Sequence, residues 1–187
     1  MTNGHETERL EKQIRAALDA EVPARVERAS RVRLQHFIPA HWFAAAGSEC
    51  ASMYVAGFFY GSISIAQAYV EALSLFLAEA HRVRISNDCP ARWQRLYREK
   101  VVSSAVSEAA VSVLADRNDF HHLNKQIERE YLKLAARSEE CVRHLHTIES
   151  EVFAYTIDVP GKLTLRNPRY WPSGGEGTAQ VNLRQLW

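Results

Sequence analysis

Residues 53–77 read MYVAGFFYGSISIAQAYVEALSLFL. Apolar side chains occupy most faces of this stretch, and Glu71 is its one charged residue. A helix that is apolar on most sides is a buried helix, so the stretch predicts the central helix of a bundle. We expect it to be the core of a longer apolar segment from about Trp42 to Ala80, with Gly47 as a candidate break.

A membrane-spanning helix is the alternative for part of this segment. Cys50 to Val70 contains no charged residue and is close to the length that crosses a bilayer. Against this stand its serines and glycines, Gln67 within it, and Glu49 and Glu71 at the ends where Lys or Arg anchors are expected. We therefore favour a buried helix and no membrane partner.

The composition fits one soluble globular domain. The chain has 187 residues, of which 47% are hydrophobic and 24% charged, so it can bury a core and is not disordered. The formal net charge of +1 means that a nucleic-acid partner would need a local site. Three widely spaced cysteines and a start without a signal-peptide pattern predict reduced thiols in a cytoplasmic protein.

Two helices are expected at the N-terminus, both peripheral. Glu6–Glu21 is amphipathic, Pro23 interrupts it, and a second helix follows over about Ala24–Gln35. Its basic residues could contact an RNA backbone, but Glu21 and Glu27 dilute them and favour a solvated face. These basic residues are Arg25, Arg28, Arg31 and Arg33.

Three more helices follow the central one. Asn87-Asp88-Cys89-Pro90 has a capping residue and a first-turn proline, and it predicts a short helix that buries Trp93, Leu96 and Tyr97. Another helix is expected from Val101 to Leu114. Asp116 is the expected N-cap of a last helix from Arg117 to about Glu149, whose apolar positions recur every seventh residue. These are Phe120, Ile127, Leu134, Cys141 and Ile148.

The chain changes character after Ser150. Residues 152–157 and 163–165 are β-like around a turn at 158–162, which predicts a hairpin. An irregular tail then carries Tyr170, Trp171 and Trp187, aromatic residues that could stack bases but more simply cover the edge of the bundle. The predicted fold is mainly α: an up-and-down bundle over 1–150 with peripheral helices at 6–35, and a β-hairpin and tail over 151–187 packed on it.

One segment carries residues suited to cutting RNA, Arg117-Asn118-Asp119-Phe120-His121-His122. Cleavage without a metal needs a base for the 2'-hydroxyl proton, an acid for the leaving oxygen, and a fixed cation for the phosphate charge. Imidazole titrates near neutral pH, and guanidinium stays charged and binds two phosphate oxygens. The segment supplies both groups.

The pattern Arg117-Asn118-x-x-x-His122 resembles the signature of the HEPN superfamily, in which Arg, a polar residue, three residues and His follow one another. The alanine-rich helix around Glu71 also resembles the family's central helix, and the resemblance covers about residues 53–149. It implies a metal-independent, homodimeric endoribonuclease without cofactor, acting as a toxin or antiviral effector on RNA under a cognate antitoxin or regulatory protein. The implied catalytic residues are His122 as acid or base, Arg117 on the scissile phosphate and Asn118 orienting either one.

Helix geometry limits this site. Five residues on a regular helix place Arg117 and His122 about 140° apart, so they cannot share a face in mid-helix. A site needs Arg117 in a first turn, or two copies facing each other. His121 shares the face of Arg117 and competes for the role, Asp119 suits a helix N-terminus, and a buried Glu71 would need a cation such as Arg117.

Two interpretations without catalysis remain open. Arg117 could pair with Asp116 or Asp119 in a polar helix start, or the fold could be a non-catalytic HEPN-like module that binds a nucleotide or a protein. Family members paired with nucleotidyltransferase antitoxins carry Tyr where Asn124 stands here, so the resemblance does not imply adenylylation. Cys141-x-x-His144-x-His146 lacks an evident fourth ligand, and no metal site is predicted from it.

Overall fold

The computed structural model describes residues 3–32, 37–38, 41–121, 131–159, 162–171 and 182–183. Within these ranges the chain is a mainly α-helical bundle with a short antiparallel hairpin, as predicted. The helices are α1 (Asn3–Arg31), α2 (His41–Ala56), α3 (Phe59–Ala80), α4 (Cys89–Arg98), α5 (Ser104–Leu114), α6 (Arg117–His121) and α7 (Tyr131–Val152). The strands are β1 (Phe37–Ile38), β2 (Tyr155–Val159), β3 (Lys162–Leu165) and β4 (Asn182–Leu183).

Helix α3 lies at the centre of the bundle. It packs against α2, α4, α5, α6 and α7, and α5 packs in turn against α4 and α7. Ile63, Leu73 and Leu77 of α3 are fully buried and meet Leu145 of α7 in one continuous core. Burying a side chain of this size stabilises the fold by about 1.5–3 kcal/mol, so α3 organises the bundle that positions the candidate site.

The predicted single helix over Met53–Leu77 is wrong, because the chain turns at Gly57. Gly57 has a φ of 88°, a left-handed conformation that favours glycine. Its N–H bonds the carbonyl of Tyr54 at 3.0 Å, and the N–H of Phe58 bonds that of Met53 at 2.8 Å. This pair of bonds is a Schellman motif, which ends α2 and lets α3 return against it. Gly47, the expected break, lies inside α2.

Pro23 does not interrupt the first helix, which is a second correction. Helix α1 continues through it to Arg31. Pro23 is exposed, so water can bond the carbonyl that loses its amide partner. Contacts with the bundle hold the second half in place: the Nε of Arg28 donates to the carbonyl of Val55 at 2.8 Å, and its guanidinium lies 5.7 Å from the ring of Phe59.

Helix α4 begins at the predicted capping residue, but one of the three residues predicted to be buried, Tyr97, is exposed. The carboxylate of Asp88 accepts from the N–H of Ala91 at 3.0 Å, and Trp93 and Leu96 are fully buried. Tyr97 is 49% exposed, since it lies one residue and about 100° beyond Leu96. The helix predicted from Val101 begins three residues later, where Ser103 caps α5.

The segment after α7 forms the predicted hairpin. Strands β2 and β3 pair antiparallel, with Tyr155 opposite Leu165. Tyr170 is fully buried, and the ring of Trp171 lies 5.5 Å from Phe76 and 5.6 Å from Phe153. These two aromatic residues cover the edge of the bundle, whereas Trp187 lies outside the described residues. The division into units 1–150 and 151–187 stays a prediction.

Among the described residues, α3 is the one helix long and apolar enough to cross a membrane by length and composition. Its most apolar window is 56% buried inside the protein. The uncharged stretch from Cys50 to Val70 is divided between α2 and α3 at Gly57. Burial among other helices is what the centre of a bundle shows, and it accounts for the apolar sequence of α3.

Candidate functional site

Arg117 is the first residue of α6, so the expectation that it lies in a first helical turn is confirmed. The carbonyl of Asp116 accepts from the N–H groups of Asp119 at 3.0 Å and Phe120 at 3.3 Å. Asp116 itself has a φ of 58°, whereas an N-cap residue has extended backbone. The predicted N-cap is therefore wrong in its geometry, and Asp116 serves as a left-handed corner between α5 and α6.

Side chains from two other helices hold this corner. The carbonyl of Ala115 accepts from the amide of Gln67 at 3.3 Å and from the guanidinium of Arg137 at 3.1 Å. Arg137 also donates to the carbonyls of Ser112 at 2.7 Å and Val113 at 3.3 Å. These carbonyls lie at the C-terminal end of α5, where a helix leaves carbonyls without an intrahelical partner, and that of Ser112 also accepts from the N–H of Ala115 at 3.2 Å. The end of α5, and with it the position of Arg117, is therefore fixed by α3 and α7.

Phe120 anchors α6 itself. Its side chain is 6% exposed, and its ring lies 5.5 Å from that of Tyr60. The hydroxyl of Tyr60 also donates to the carbonyl of Phe120. Packing of an aromatic ring and a backbone hydrogen bond thus hold this five-residue helix against α3, although a helix of this length has little stability of its own.

Arg117 pairs with Glu71, the one charged residue of the central stretch. Its Nη2 lies 2.6 Å from a carboxylate oxygen of Glu71, and each side chain is about one third exposed, at 31% and 32%. Glu71 and the cation considered for it are thus in contact, although Glu71 is partly exposed and not buried. Since the pair is partly solvated, its contribution to stability is small, about 1 kcal/mol or less. Its main effect is to aim the guanidinium.

The pair lies in the wall of a cavity of about 470 Å³ between α3, α4 and the α5–α6 corner. The lining residues are Glu71, Asn87, Asp88, Cys89, Pro90, Leu114, Asp116, Arg117, Asn118 and Asp119. Glu71, Asn118 and Asp119, three of the predicted site residues, therefore lie beside Arg117 in this cavity. The lining contains four carboxylates and one guanidinium, so its charge balance is acidic.

Cys89 is the one thiol in this lining. It is 6% exposed, and burial together with the negative charge of Glu71 raises its pKa, against the opposing effects of Arg92 and Arg117. A thiol whose pKa is raised is a poor nucleophile at neutral pH. Cys89 thus contributes shape to the cavity and no covalent chemistry.

The two histidines of the motif are not placed by the structure. His121 is the last residue of α6, and its side chain lies outside the described residues. His122 lies outside them altogether. The distance from Arg117 to either imidazole is therefore not defined, and the choice between them stays a prediction.

Some residues of the site were not expected from the sequence. Asn87 and Asp88 of the cavity lining had been assigned only to the start of α4. Gln67 and Arg137, which hold the corner between α5 and α6, carried no signal. Asp88 and Arg117 line the same cavity because α4 and α6 both pack against α3. A lone sequence offers no measure of such proximity. The capping motif at Asp88 could at most have indicated a helix N-terminus.

The other candidate sites are occupied by internal contacts. Among the described residues, no group of three or more His, Cys, Asp or Glu side chains could hold a metal ion. Cys141 is fully buried, and burial raises its pKa to about 11. Arg28 and Arg31 of the N-terminal basic stretch form ion pairs with Glu21, Glu27 and Glu139.

No protein-family model, curated protein or solved structure matches this chain.

Proposed function

We propose that the protein is a metal-independent, cytoplasmic endoribonuclease of HEPN type, which uses the cavity beside Arg117 as one half of its active site. The observation that supports the proposal is the convergence of Arg117, Asn118 and Asp119 with Glu71 in one cavity. These residues are brought together from α3 and α6, as a catalytic cleft requires. Glu71 pre-orients the guanidinium, which lowers the cost of fixing a cation at a phosphate.

In the proposed reaction, the 2'-oxygen of the RNA attacks the neighbouring phosphorus and the 5'-oxygen leaves. A histidine of the motif, His122 by the family spacing, carries out one of the two proton transfers, removal from the 2'-hydroxyl or donation to the leaving 5'-oxygen, and solvent water carries out the other. Arg117 stabilises the negative charge that grows on the phosphoryl oxygens, and Asn118 orients one of these two groups. The products carry a 2',3'-cyclic phosphate and a 5'-hydroxyl.

Because the cavity lining is acidic, the proposed function requires a second subunit. Four carboxylates beside one guanidinium oppose the approach of an RNA backbone to a lone subunit. A second copy facing the cavity would add its own Arg117 and histidines. We therefore expect the active species to be a homodimer.

A second candidate is a non-catalytic module that binds a nucleotide or a partner protein, and the acidic lining favours the partner protein. In that case the ion pair between Glu71 and Arg117 is structural, and a basic surface of a protein partner suits the carboxylates. The two functions differ in one measurable property, the breakage of a phosphodiester bond.

Purified protein incubated with total RNA in EDTA tests the proposal. We expect fragments whose 5' ends accept phosphate from a kinase without prior dephosphorylation, because the reaction leaves 5'-hydroxyl ends. Cleavage that disappears in EDTA, or fragments with 5'-phosphate ends, contradicts the mechanism. Intact RNA combined with saturable nucleotide or protein binding supports the non-catalytic module.

Neutralising one carboxylate of the cavity should strengthen RNA binding. Asp116→Asn is the suitable change, because Asp116 is exposed and Asn tolerates the same left-handed backbone. We expect a gain in affinity of about two- to fivefold in low salt that diminishes in high salt, as for screened charges. Glu108→Gln, an exposed carboxylate of α5 outside the cavity lining, is the control. Equal effects of both changes would assign the gain to net charge alone.

A further inference from the structure

The first two thirds of α1 form an exposed helical arm. Every residue from 4 to 23 is exposed. Five apolar side chains spaced four residues apart run along the arm and just beyond it, turning by about 40° around the helix at each step, and are between 45% and 62% exposed: Leu10, Ile14, Leu18, Val22 and Val26. We call these five residues the apolar stripe. Such a contiguous apolar surface on an otherwise charged helix is typical of an interaction site.

Local interactions are too few to account for an arm of this length. Ion pairs join Glu8 to Lys12 at 3.2 Å and Glu11 to Arg15 at 2.8 Å, both between exposed side chains one turn apart. Pairs of this kind support a helix only weakly. In proteins, most of the stability of a helix comes from packing of one face against a partner. A partner helix would bury the centre of the apolar stripe, around Leu18, and stabilise the arm.

We propose that this partner is α1 of a second copy, running antiparallel about a two-fold axis at Leu18. The sequence is symmetric around this residue in its apolar positions: Ile14 and Val22 lie four residues to either side, and Leu10 and Val26 lie eight. An antiparallel two-fold pair places residues equally distant from Leu18 opposite each other. Ile14 of each copy then faces Val22 of the other, with Leu18 against Leu18, whereas Leu10 and Val26 lie about 80° to either side of Leu18 and flank the contact.

The charges select the antiparallel direction. Glu11 and Arg25 lie seven residues to either side of Leu18, close to two full turns, so both share its face. Antiparallel pairing puts Glu11 of each copy opposite Arg25 of the other. Parallel pairing in register puts Glu11 against Glu11 instead. The Nε of Arg25 is also buried without a hydrogen-bond partner among the described residues.

The same face fits other occupants poorly. A helix that binds an anionic membrane or RNA carries a basic polar face. Here acidic residues alternate with basic ones along the whole arm, including Glu6, Glu8 and Asp19. The arm is separate from the cavity lining, so its pairing does not depend on the proposed ribonuclease function.

Cysteine cross-linking of the full-length protein tests the direction of pairing. The three native cysteines are buried, so an introduced thiol on the arm reacts selectively. Leu18→Cys should form a disulfide-linked dimer under mild oxidation. Glu11→Cys alone should not, whereas a mixture of Glu11→Cys and Arg25→Cys chains should, because a disulfide requires Cα atoms within about 7 Å. A dimer from Glu11→Cys alone would show parallel pairing and overturn the proposal.

Light scattering on the reduced protein tests the interface itself. We expect a dimer at micromolar concentration and at least a tenfold weaker association for Leu18→Glu. Leu132→Glu, at an 80% exposed leucine of α7, should leave the dimer intact. Because Leu18 is exposed in the single chain, both variants should keep the cooperative thermal unfolding of the bundle, and Leu18→Glu should lose only the part of the far-UV helical signal that comes from the arm. A monomeric wild type, a dimer that survives Leu18→Glu, or arm-dependent binding of the monomer to anionic vesicles would each overturn the proposal.

Discussion

Arg117→Ala should lower the rate of RNA cleavage about 10²- to 10³-fold, which is the usual loss when one preorganised donor to a developing oxyanion is removed. The guanidinium is at the start of α6 and is held by Glu71 at 2.6 Å, so no neighbouring cation is placed to take over its role among the residues that line the cavity. The rate should be measured with a defined RNA under single-turnover conditions. Binding of the uncleaved RNA should fall much less than the rate.

Two controls separate a chemical role from damage to the fold. Arg143→Ala removes an exposed arginine of α7 that pairs with Glu139, and it should retain full activity. Arg117→Ala also leaves Glu71 without its cation, so the double variant Glu71→Gln, Arg117→Ala is needed. It should melt close to the wild type and remain inactive. Full activity in either Arg117 variant would remove this residue from the mechanism.

The Glu71–Arg117 pair could be predicted from the sequence because each residue is unusual in its surroundings. Glu71 is the one charge in the apolar stretch 53–77, and a carboxylate in such a place needs a cation. Arg117 is at the start of a helix behind an Asp. The two residues lie 46 positions apart, and the resemblance to a known motif supplied the link between them. Asp88 had no comparable signal, since its capping role already accounted for it.

The positions of the helix breaks were predicted less well, because local rules compete with packing. Gly47 and Gly57 both lie in apolar surroundings, and nothing local distinguishes them. The chain turns at Gly57 because α3 can then bury Phe59 and Ile63 against α2. Pro23 shows the reverse case: its intrinsic cost is accepted because Arg28 secures the helix beyond it to α2 and α3. Apolar periodicity thus predicted which segments are helical, but not where they end.

Arg137→Met should reduce both stability and cleavage, since Arg137 supports the corner that carries Arg117. Its side chain is 15% exposed and donates to three carbonyls at the end of α5. Methionine keeps much of the apolar stem and removes every donor, which leaves the carbonyl of Val113 without this bond, while the carbonyls of Ser112 and Ala115 keep bonds from the N–H of Ala115 and from Gln67. We expect a loss of roughly 1–3 kcal/mol, because an unsatisfied buried group costs about this much. For a chain of this size the melting temperature should fall by roughly 3–10 °C.

Arg143→Met on the same helix is the matched control. Arg143 is 62% exposed and pairs with Glu139, whereas Arg137 donates to the carbonyls at the end of α5. Arg143→Met should change the melting temperature by less than about 2 °C, as expected for an exposed ion pair. If Arg137 acts by positioning Arg117, cleavage by Arg137→Met should stay below wild type well under its melting temperature, where the protein is fully folded. If the variant cleaves RNA at the wild-type rate at that temperature, Arg137 contributes to stability alone. Gln67 and Phe120 would then be sufficient to hold the corner and Arg117 in place.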